Sequence, residues 1–339
     1  MNADKPVKDP PLVSIIVPLY NRVALVGETI ASVMDQTYPH WELLVVDDGS
    51  TDGSYEYVAS VAQQDSRVKL SRRPRAPKGA PTCRNVALEQ AQGTYVIYLD
   101  SDDLLAPHCL AQRVEYFQRN AANDFLVFPI QYFTKEVGDS DKLFFRFYHE
   151  DYLTSFLLQS HWITMSPIWQ REALLKLRGF DESLSCMQDG DLHVRALVEG
   201  MRFRVLRDAP VDGYLRSSDA YERISNRNDT NKLASKVYAH EKYYKLLVNK
   251  GELTPVRRTI LAAQFLNIGW NYRLVGDKRQ AKTLWDSVYD RRMITRTTYR
   301  IGKSFIEVRN WPFVRDSRIV AGVIKRAYQL ILPKFLLFP

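Results

Sequence analysis

"YVIYLDSDDLL", residues 95–105, decides the fold. An apolar run of strand-forming residues, Tyr95 to Leu99, ends abruptly in Asp100, Ser101, Asp102 and Asp103. Carboxylates that close repel one another, and each raises its neighbours' pKa. A divalent cation relieves that repulsion. The plainer account is a polar loop, with Asp103 capping a helix after Leu104. The pattern recurs in "WELLVVDDGSTDGS", residues 41–54, where a second apolar strand ends in Asp47 and Asp48.

Further out, "LVSIIVPLYN" (12–21) reads as a buried strand ending in a turn, and "RVKLSRR" (67–73) as a short third strand. Between the strands lie helical stretches. "VALVGETIASVMDQ" (23–36) places Val26, Ile30, Val33 and Met34 at helical spacing, and "SYEYVASVAQQ" (54–64) continues the alternation. "PTCRNVALEQAQG" (81–93) reads as a helix capped by Gly93. Such alternation predicts an α/β fold with a mostly parallel sheet covered by helices. Ligands of such sheets collect at the carboxyl ends of the strands, where the aspartates sit. Beyond about Asn123 the pattern is less regular. It becomes readable again in "SPIWQREALLKLRGFDESL" (166–184), as a strand, a helix and a Gly-terminated turn. "QDGDLHVRALVEG" (188–200) reads as a helix with acids at its positive end, and "RFRVLRDAPVDGYLR" (202–216) as the last strands.

Composition narrows the class. The 339 residues are 45% hydrophobic and 25% charged, ordinary for a globular protein, and the length suggests one large and one small unit. Cys83, Cys109 and Cys186 are scattered, against a disulfide framework or thiolate metal site. The net charge of +8 is uneven. Gly251 to Pro339 holds 17 Lys and Arg against 6 Asp and Glu, whereas the first 250 residues hold 30 against 33. The basicity therefore belongs to the last quarter, and a nucleic-acid partner is not expected. We expect a polar tail over 1–11 without the apolar core of a signal peptide, a catalytic domain over 12–226, and a basic, mostly helical region over 227–339. Within that region Phe265, Ile268, Gly269, Tyr272, Ala281 and Trp285 fall at tetratricopeptide spacing, although one unit reads more simply as a helical hairpin. The end, 318–339, mixes apolar residues with Arg318, Lys325, Arg326 and Lys334, which suits an interfacial segment on an anionic membrane.

Five stretches in one order, "VSIIVPLYNR", "TYPHWELLVVDDGSTDGS", "RNVALEQAQGTYVIYLDSDD", "RGFDESL" and "QDGDLHVRAL", resemble the family 2 glycosyltransferases. The resemblance covers residues 12 to about 217. It implies a GT-A fold, a divalent cation (Mn²⁺ or Mg²⁺) and inverting transfer from a nucleotide diphosphate sugar, most often UDP-linked. By the same resemblance Asp102 is a metal ligand and Asp100 a contact for the ribose or, through water, the metal. Asp48 accepts a hydrogen bond from the base, with Asp47 as the alternative, and Pro18 and Tyr20 hold the base. Arg84 reaches the diphosphate or pairs with a strand-end aspartate, and Arg216 is a phosphate contact. Asp189 is the general base that inversion requires. Asp181, Glu182 and Gln188 bound the acceptor pocket or, for the first two, cap a turn. Gln188 stands where the family usually has Glu, and Ser217 and Ser218 follow Arg216 where it often has His. Asp191 and Arg195, one turn apart, read as an ion pair. The expected acceptor is a glycan or lipid-linked sugar in surface polysaccharide assembly, and the expected location the cytoplasmic face of the membrane. A non-catalytic sugar-nucleotide-binding or scaffold protein of the same fold is the alternative that Gln188 keeps open.

Overall fold

The computed structural model describes residues 10–144, 151–158, 162–217 and 230–308. In chain order the elements are β1 (Val13–Leu19), α1 (Val26–Met34), β2 (Trp41–Asp47), α2 (Ser54–Gln64), β3 (Val68–Arg72), α3 (Ala80–Gln90) and β4 (Tyr95–Tyr98). Next come β5 (Leu104–Leu105), α4 (Cys109–Arg119), β6 (Phe125–Val127), β7 (Ile130–Phe133), α5 (Tyr152–Leu158), β8 (Pro167–Gln170) and α6 (Arg171–Lys176). The chain continues through α7 (Gln188–Val198), β9 (Phe203–Val205), β10 (Gly213–Arg216), α8 (Thr230–Asn249), α9 (Pro255–Leu274), α10 (Lys278–Asp290) and α11 (Arg296–Val308). They group into two units. One takes residues 10–144, 162–182 and 199–217; the other takes 151–158, 183–198 and 230–308.

The first unit is built on a seven-stranded sheet of order β3-β2-β1-β4-β8-β6-β9. β1 pairs in parallel with β2 and β4, and β2 with β3. β8 runs antiparallel to β4 and β6, and the remaining pairings are parallel, so the sheet is mostly parallel, as expected. β1, β2 and β4 are buried along their whole length, which is why they read as unbroken apolar runs. Alternate residues of these strands (Val13, Ile15, Val17 and Leu19 on β1; Ile97 and Leu99 on and after β4) enter one core with Val26, Ile30 and Val33 of α1. Met34, expected on that face, is exposed. The chain leaves β1 toward β2 and β3 and returns to β4 on the other side of β1. The strand order thus reverses between β1 and β4, the switch point at whose carboxyl ends open α/β sheets take their ligands.

Two polar insertions lock this sheet. Glu42, buried within β2, accepts hydrogen bonds from Ser14 Oγ (2.7 Å), Lys69 Nζ (2.7 Å) and the Gln92 N–H (2.7 Å). Gly93 was expected to cap α3, but the helix ends at Gln90 and Gly93 serves close approach instead. A Cβ there would lie 2.6 Å from the Ser14 nitrogen, while its own N–H donates to Ser14 Oγ at 2.9 Å. A smaller sheet of order β5-β10-β7 lies beyond β4. It is tied to α4 by Arg113, fully buried, whose Nε and Nη2 donate to the two oxygens of the buried Asp212 at 2.8 and 2.7 Å.

The second unit is helical. α9 and α10 form the expected hairpin, with Phe265, Ile268, Tyr272, Ala281 and Trp285 buried. Gly269 lies at their contact, where a Cβ would stand 3.4 Å from the Ala281 carbonyl, an ordinary packing distance. Thr254 and Asp277 cap the two helices, accepting from the N–H of Arg257 and Gln280. The domain boundary expected near residue 226 and the tail 318–339 lie outside the described residues. Among the described residues no helix is long and apolar enough to cross a membrane.

The Arg113–Asp212 pair gives a stability prediction. Arg113→Met leaves a buried carboxylate without its partner and should cost about 3–5 kcal/mol of unfolding free energy. The double variant Arg113→Met/Asp212→Leu should recover much of the loss in urea titrations; a single variant within about 0.5 kcal/mol of wild type contradicts the assignment.

Candidate active site

Two loops meet where β1 and β2 end. Asn21, in the left-handed region at φ 49°, accepts from the Thr51 N–H at 2.9 Å and donates its own N–H to Ser50 Oγ at 3.0 Å. The Arg22 N–H donates to Ser54 Oγ (2.8 Å) and the Val23 N–H to Asp52 (3.0 Å). The segment after β1 is thereby held against "GSTDGS". Asp47 braces the same loop, accepting from the Gly49 N–H (3.0 Å) and the Ser50 N–H (3.1 Å). That leaves Asp48, buried at the strand end, to face Arg73, whose Nε donates to its Oδ1. Pro18 is buried in β1, in register with Val46. Tyr20 is not a core residue: it is 42% exposed, with Lys78 Nζ 3.7 Å from its ring centroid.

At the end of β4 the chain turns, with the Asp103 N–H donating to the Asp100 carbonyl at 3.1 Å, rather than continuing extended. Three arginines from three elements surround the carboxylates. Arg84, buried on α3, donates Nη2 to Asp100 Oδ1 at 2.5 Å. Arg22 Nε lies 3.6 Å from Asp102 Oδ2. Arg216 on β10 donates Nε to the Asp102 carbonyl (2.9 Å) and Nη2 to Glu28 (2.6 Å). Asp103 is not a helix cap, since β5 follows it and α4 starts only at Cys109. Its buried carboxylate accepts from the Arg216 N–H at 2.9 Å. Burial, followed by the charge of Asp100, raises the Asp102 carboxyl above the ordinary range, with Arg22 and Arg216 opposing.

The comparisons with known proteins bear on this arrangement. Residues 14–176 match the model of "Glycosyl transferase family 2". That match covers a little under half of the chain. A curated relative, the UDP-Glc:alpha-D-GlcNAc-diphosphoundecaprenol beta-1,3-glucosyltransferase WfgD of Escherichia coli, is 42% identical over 109 residues, 32% of this chain and 42% of the relative. The chain thus spans less than half the length of that relative, as it does for two further curated glycosyltransferases, at 44% and 46%. Among solved structures, S. aureus TarS in complex with UDP-GlcNAc superposes with a TM-score of 0.59 at 19% identity, over 87% of this chain and 92% of that one. Mannosyltransferase PcManGT from Pyrobaculum calidifontis, in complex with GDP-Man and Mn²⁺, gives 0.50 at 19% identity, over 98% and 84%. The fold is the expected GT-A type, with a carboxyl-terminal helical extension.

Asp100 and Asp102 are hard oxygen ligands of the kind that Mg²⁺ and Mn²⁺ take. Among the described residues no three His, Cys, Asp or Glu side chains form a cage. A pair of carboxylates at a charge-strained strand end fits a cation that completes its shell with substrate phosphates and water.

The remaining candidates divide between the units. Asp181, half-buried, and Glu182 belong to the first. Glu182 caps no turn; it accepts from Arg75 Nη2 (2.9 Å) and Asn85 Nδ2 (2.9 Å). Gln188 and Asp189 open α7 in the second unit, Asp189 half-buried in the first turn and Gln188 donating to the Leu184 carbonyl at 3.2 Å. Asp191 is fully buried and held by Arg195 (2.7 Å) and Lys242 (2.8 Å), a structural ion cluster of which the i, i+4 spacing shows half.

Sequence reading missed Arg22, Glu28, Arg73, Arg75 and Lys78. A signal was present in "RRPRAPKG" (72–79), a basic run that closes the edge strand β3, beside the end of β2 with its Asp47 and Asp48. Arg22 follows the first strand end by three residues.

Glu182 carries a pH prediction. Burial acts to raise its carboxyl, but the hydrogen bonds from Arg75 and Asn85 outweigh it and hold the group below the ordinary value of 4.5. Its stabilisation is therefore complete above that value and lost as pH falls through the depressed one. Glu182→Gln should cost about 1–2 kcal/mol at pH 7, and the gap from wild type should shrink toward zero near pH 3. A gap of equal size at both pH values would show that the charge is not responsible.

Proposed function

We propose that the chain is a metal-dependent inverting glycosyltransferase that moves a sugar from a nucleotide diphosphate sugar, UDP-linked, to a hydroxyl of a glycan or lipid-linked acceptor in surface polysaccharide assembly. The observation that carries this reading is the carboxylate pair Asp100 and Asp102 at the switch point of the sheet, ringed by Arg22, Arg84 and Arg216. The match of residues 14–176 to the family model, the UDP-sugar in the TarS complex and the lipid-linked acceptor in the name of WfgD support it.

In this reading the exposed ring of Tyr20 and the backbone at Pro18 seat the base, and Asp48 accepts a hydrogen bond from it. Arg84 and Arg216 face the diphosphate. Asp102, with Asp100, holds the divalent cation, which when bound neutralises the charge that develops on the leaving diphosphate. Asp189 takes the proton of the acceptor hydroxyl as that oxygen attacks the anomeric carbon and the sugar–phosphate bond breaks, inverting the centre. Asp191 is unsuited to that task because two cations already hold it. Asp181, Glu182 and Gln188 are the acceptor-facing residues of the proposal.

Calorimetry with UDP and a panel of UDP-sugars, with and without Mn²⁺, tests the reading. Wild type should bind UDP much more tightly with the metal, Asp102→Ala should lose that dependence, and Asp189→Asn should bind donor normally while transfer falls about 10²- to 10⁴-fold. Metal-independent binding by wild type, or transfer by Asp189→Asn within a few-fold of it, overturns the corresponding assignment.

A lipid-linked acceptor calls for a protein that works at the membrane surface. The basic, apolar sequence of 318–339 supports peripheral association at the cytoplasmic face, each basic residue contributing about 1 kcal/mol near an anionic leaflet. Vesicles containing phosphatidylglycerol should co-sediment the full chain at low salt and release it at high salt. Equal binding to neutral vesicles, or equal binding after removal of 318–339, argues against this anchor.

A further inference from the structure

Three arginines stand beside the carboxylates after β4, and they differ in how firmly they are held. Arg84 has a side chain only 5% exposed and a direct hydrogen bond to Asp100. Arg216, 10% exposed, is fixed at two points by the Asp102 carbonyl and Glu28. Arg22 and Asp102 are both about one third exposed (34% and 35%), and their charged atoms stand 3.6 Å apart, an ion pair looser than either of the others. The backbone beneath Arg22 is nevertheless pinned by Ser54 and by the Asn21 turn, and its Nη1 donates to the Asn21 carbonyl at 3.2 Å. A fixed backbone with a guanidinium held by one 3.2 Å bond to the adjacent carbonyl and a 3.6 Å ion pair is a pivot: the side chain can turn away from Asp102 while the loop stays in place.

We propose that Arg22 is the resident counter-ion of Asp102, displaced by the divalent cation, and that on displacement it becomes a contact for the donor's diphosphate. The inference rests on the nucleotide-sugar reading given above.

Charge balance is its physical basis. Asp100 and Asp102 are offset by Arg84 and Arg22, so the pair of carboxylates is neutralised without a metal. A divalent cation on the same oxygens brings about two surplus positive charges, matching the about two negative charges of a nucleotide diphosphate sugar. A guanidinium cannot share the Asp102 oxygens with that cation, because like charges at ion-pair distance repel. Arg22 must leave Asp102, and the nearest new anion is the diphosphate that arrives with the cation. Breaking the sugar–phosphate bond sends its electron pair to the phosphate oxygen and adds one negative charge to the leaving nucleoside diphosphate. The freed guanidinium then faces a stronger anion than before the bond broke, and planar, forked donors suit phosphate oxygens.

The consequence is a pair of effects with opposite signs, which a merely structural role would not produce. Mn²⁺ alone is titrated into the full-length wild type, Arg22→Gln and Arg22→Lys, followed by UDP at saturating Mn²⁺. Arg22→Gln removes the competing cation and should bind Mn²⁺ alone about two- to five-fold more tightly, the scale of a partly exposed ion pair. It should bind UDP in the presence of Mn²⁺ about ten-fold more weakly, the scale of a lost charge-assisted hydrogen bond. Arg22→Lys should restore part of the UDP affinity. Melting temperatures should stay within about 2 °C of wild type, because both side chains are solvent-accessible. Weakening of Mn²⁺ and UDP together, or no change in either, overturns the inference while the metal reading stands. UDP binding by wild type that is indifferent to Mn²⁺ overturns the metal reading and this inference with it.

Discussion

The buried fork between Arg113 and Asp212 fixes where β10 lies, and much of the candidate site follows from that. Asp212 immediately precedes β10, and its carbonyl also accepts from the Ala106 N–H, just after β5. With β10 in place, the Arg216 N–H meets Asp103 and its guanidinium reaches the Asp102 carbonyl and Glu28. Removing two charges from water is costly, and full bidentate geometry plus the third bond from Arg113 to the Met165 carbonyl (2.8 Å) are what make the arrangement tolerable. The pair contributes to position more than to net stability. A hydrophobic replacement of similar volume would fold the sheet but would not aim Arg216.

The same logic of counter-charge runs along the whole edge. Asp48 and the group Asp100, Asp102 and Asp103 stand at the carboxyl ends of β2 and β4, the two strands that flank β1, and each is answered from a different place: by Arg73 after β3, Arg84 on α3, Arg22 after β1 and the backbone of Arg216 on β10. Anchoring the partners on separate elements keeps the carboxylates from being neutralised by one mobile side chain. It also grades them. The most buried partners hold the chain in shape, and the most exposed one is available for exchange.

Much of this was legible in the sequence, and the reasons are physical. β1, β2 and β4 are buried on both faces, so they appear as continuous apolar runs, and their ends are marked by the aspartates themselves. The antiparallel direction of β8 was less legible, because the strand is short and its pairing with β4 joins residues about seventy positions apart. Gly93 looked like a helix cap because nothing local reveals that Ser14 passes within touching distance. Glu42 and Arg113 were missed for a shared reason: each is a charged residue on an apolar face, Arg113 lying between Leu110 and Val114 of α4, both buried. A charge on the buried face of an otherwise regular pattern is the signal to look for, and its partner lies far along the chain. Asp103 was misjudged because the turn after β4 reverses the local geometry that an extended strand end would have.

Sequence separation has one more consequence. The contacts that finish the site span 99 residues for Arg113–Asp212, 113 for Asp103–Arg216 and 188 for Glu28–Arg216. On a ribosome, the whole stretch that matches the family model, 14–176, emerges before any of these partners exists. During that interval α4 carries an arginine destined for burial with no carboxylate to meet it. The strands β9 and β10 are also still to be made. Pairings of such long range close slowly, because chain entropy must be lost before they form. The segment that matches the family model therefore lacks the partners that finish this edge, and the nascent chain completes it only when the last strands arrive.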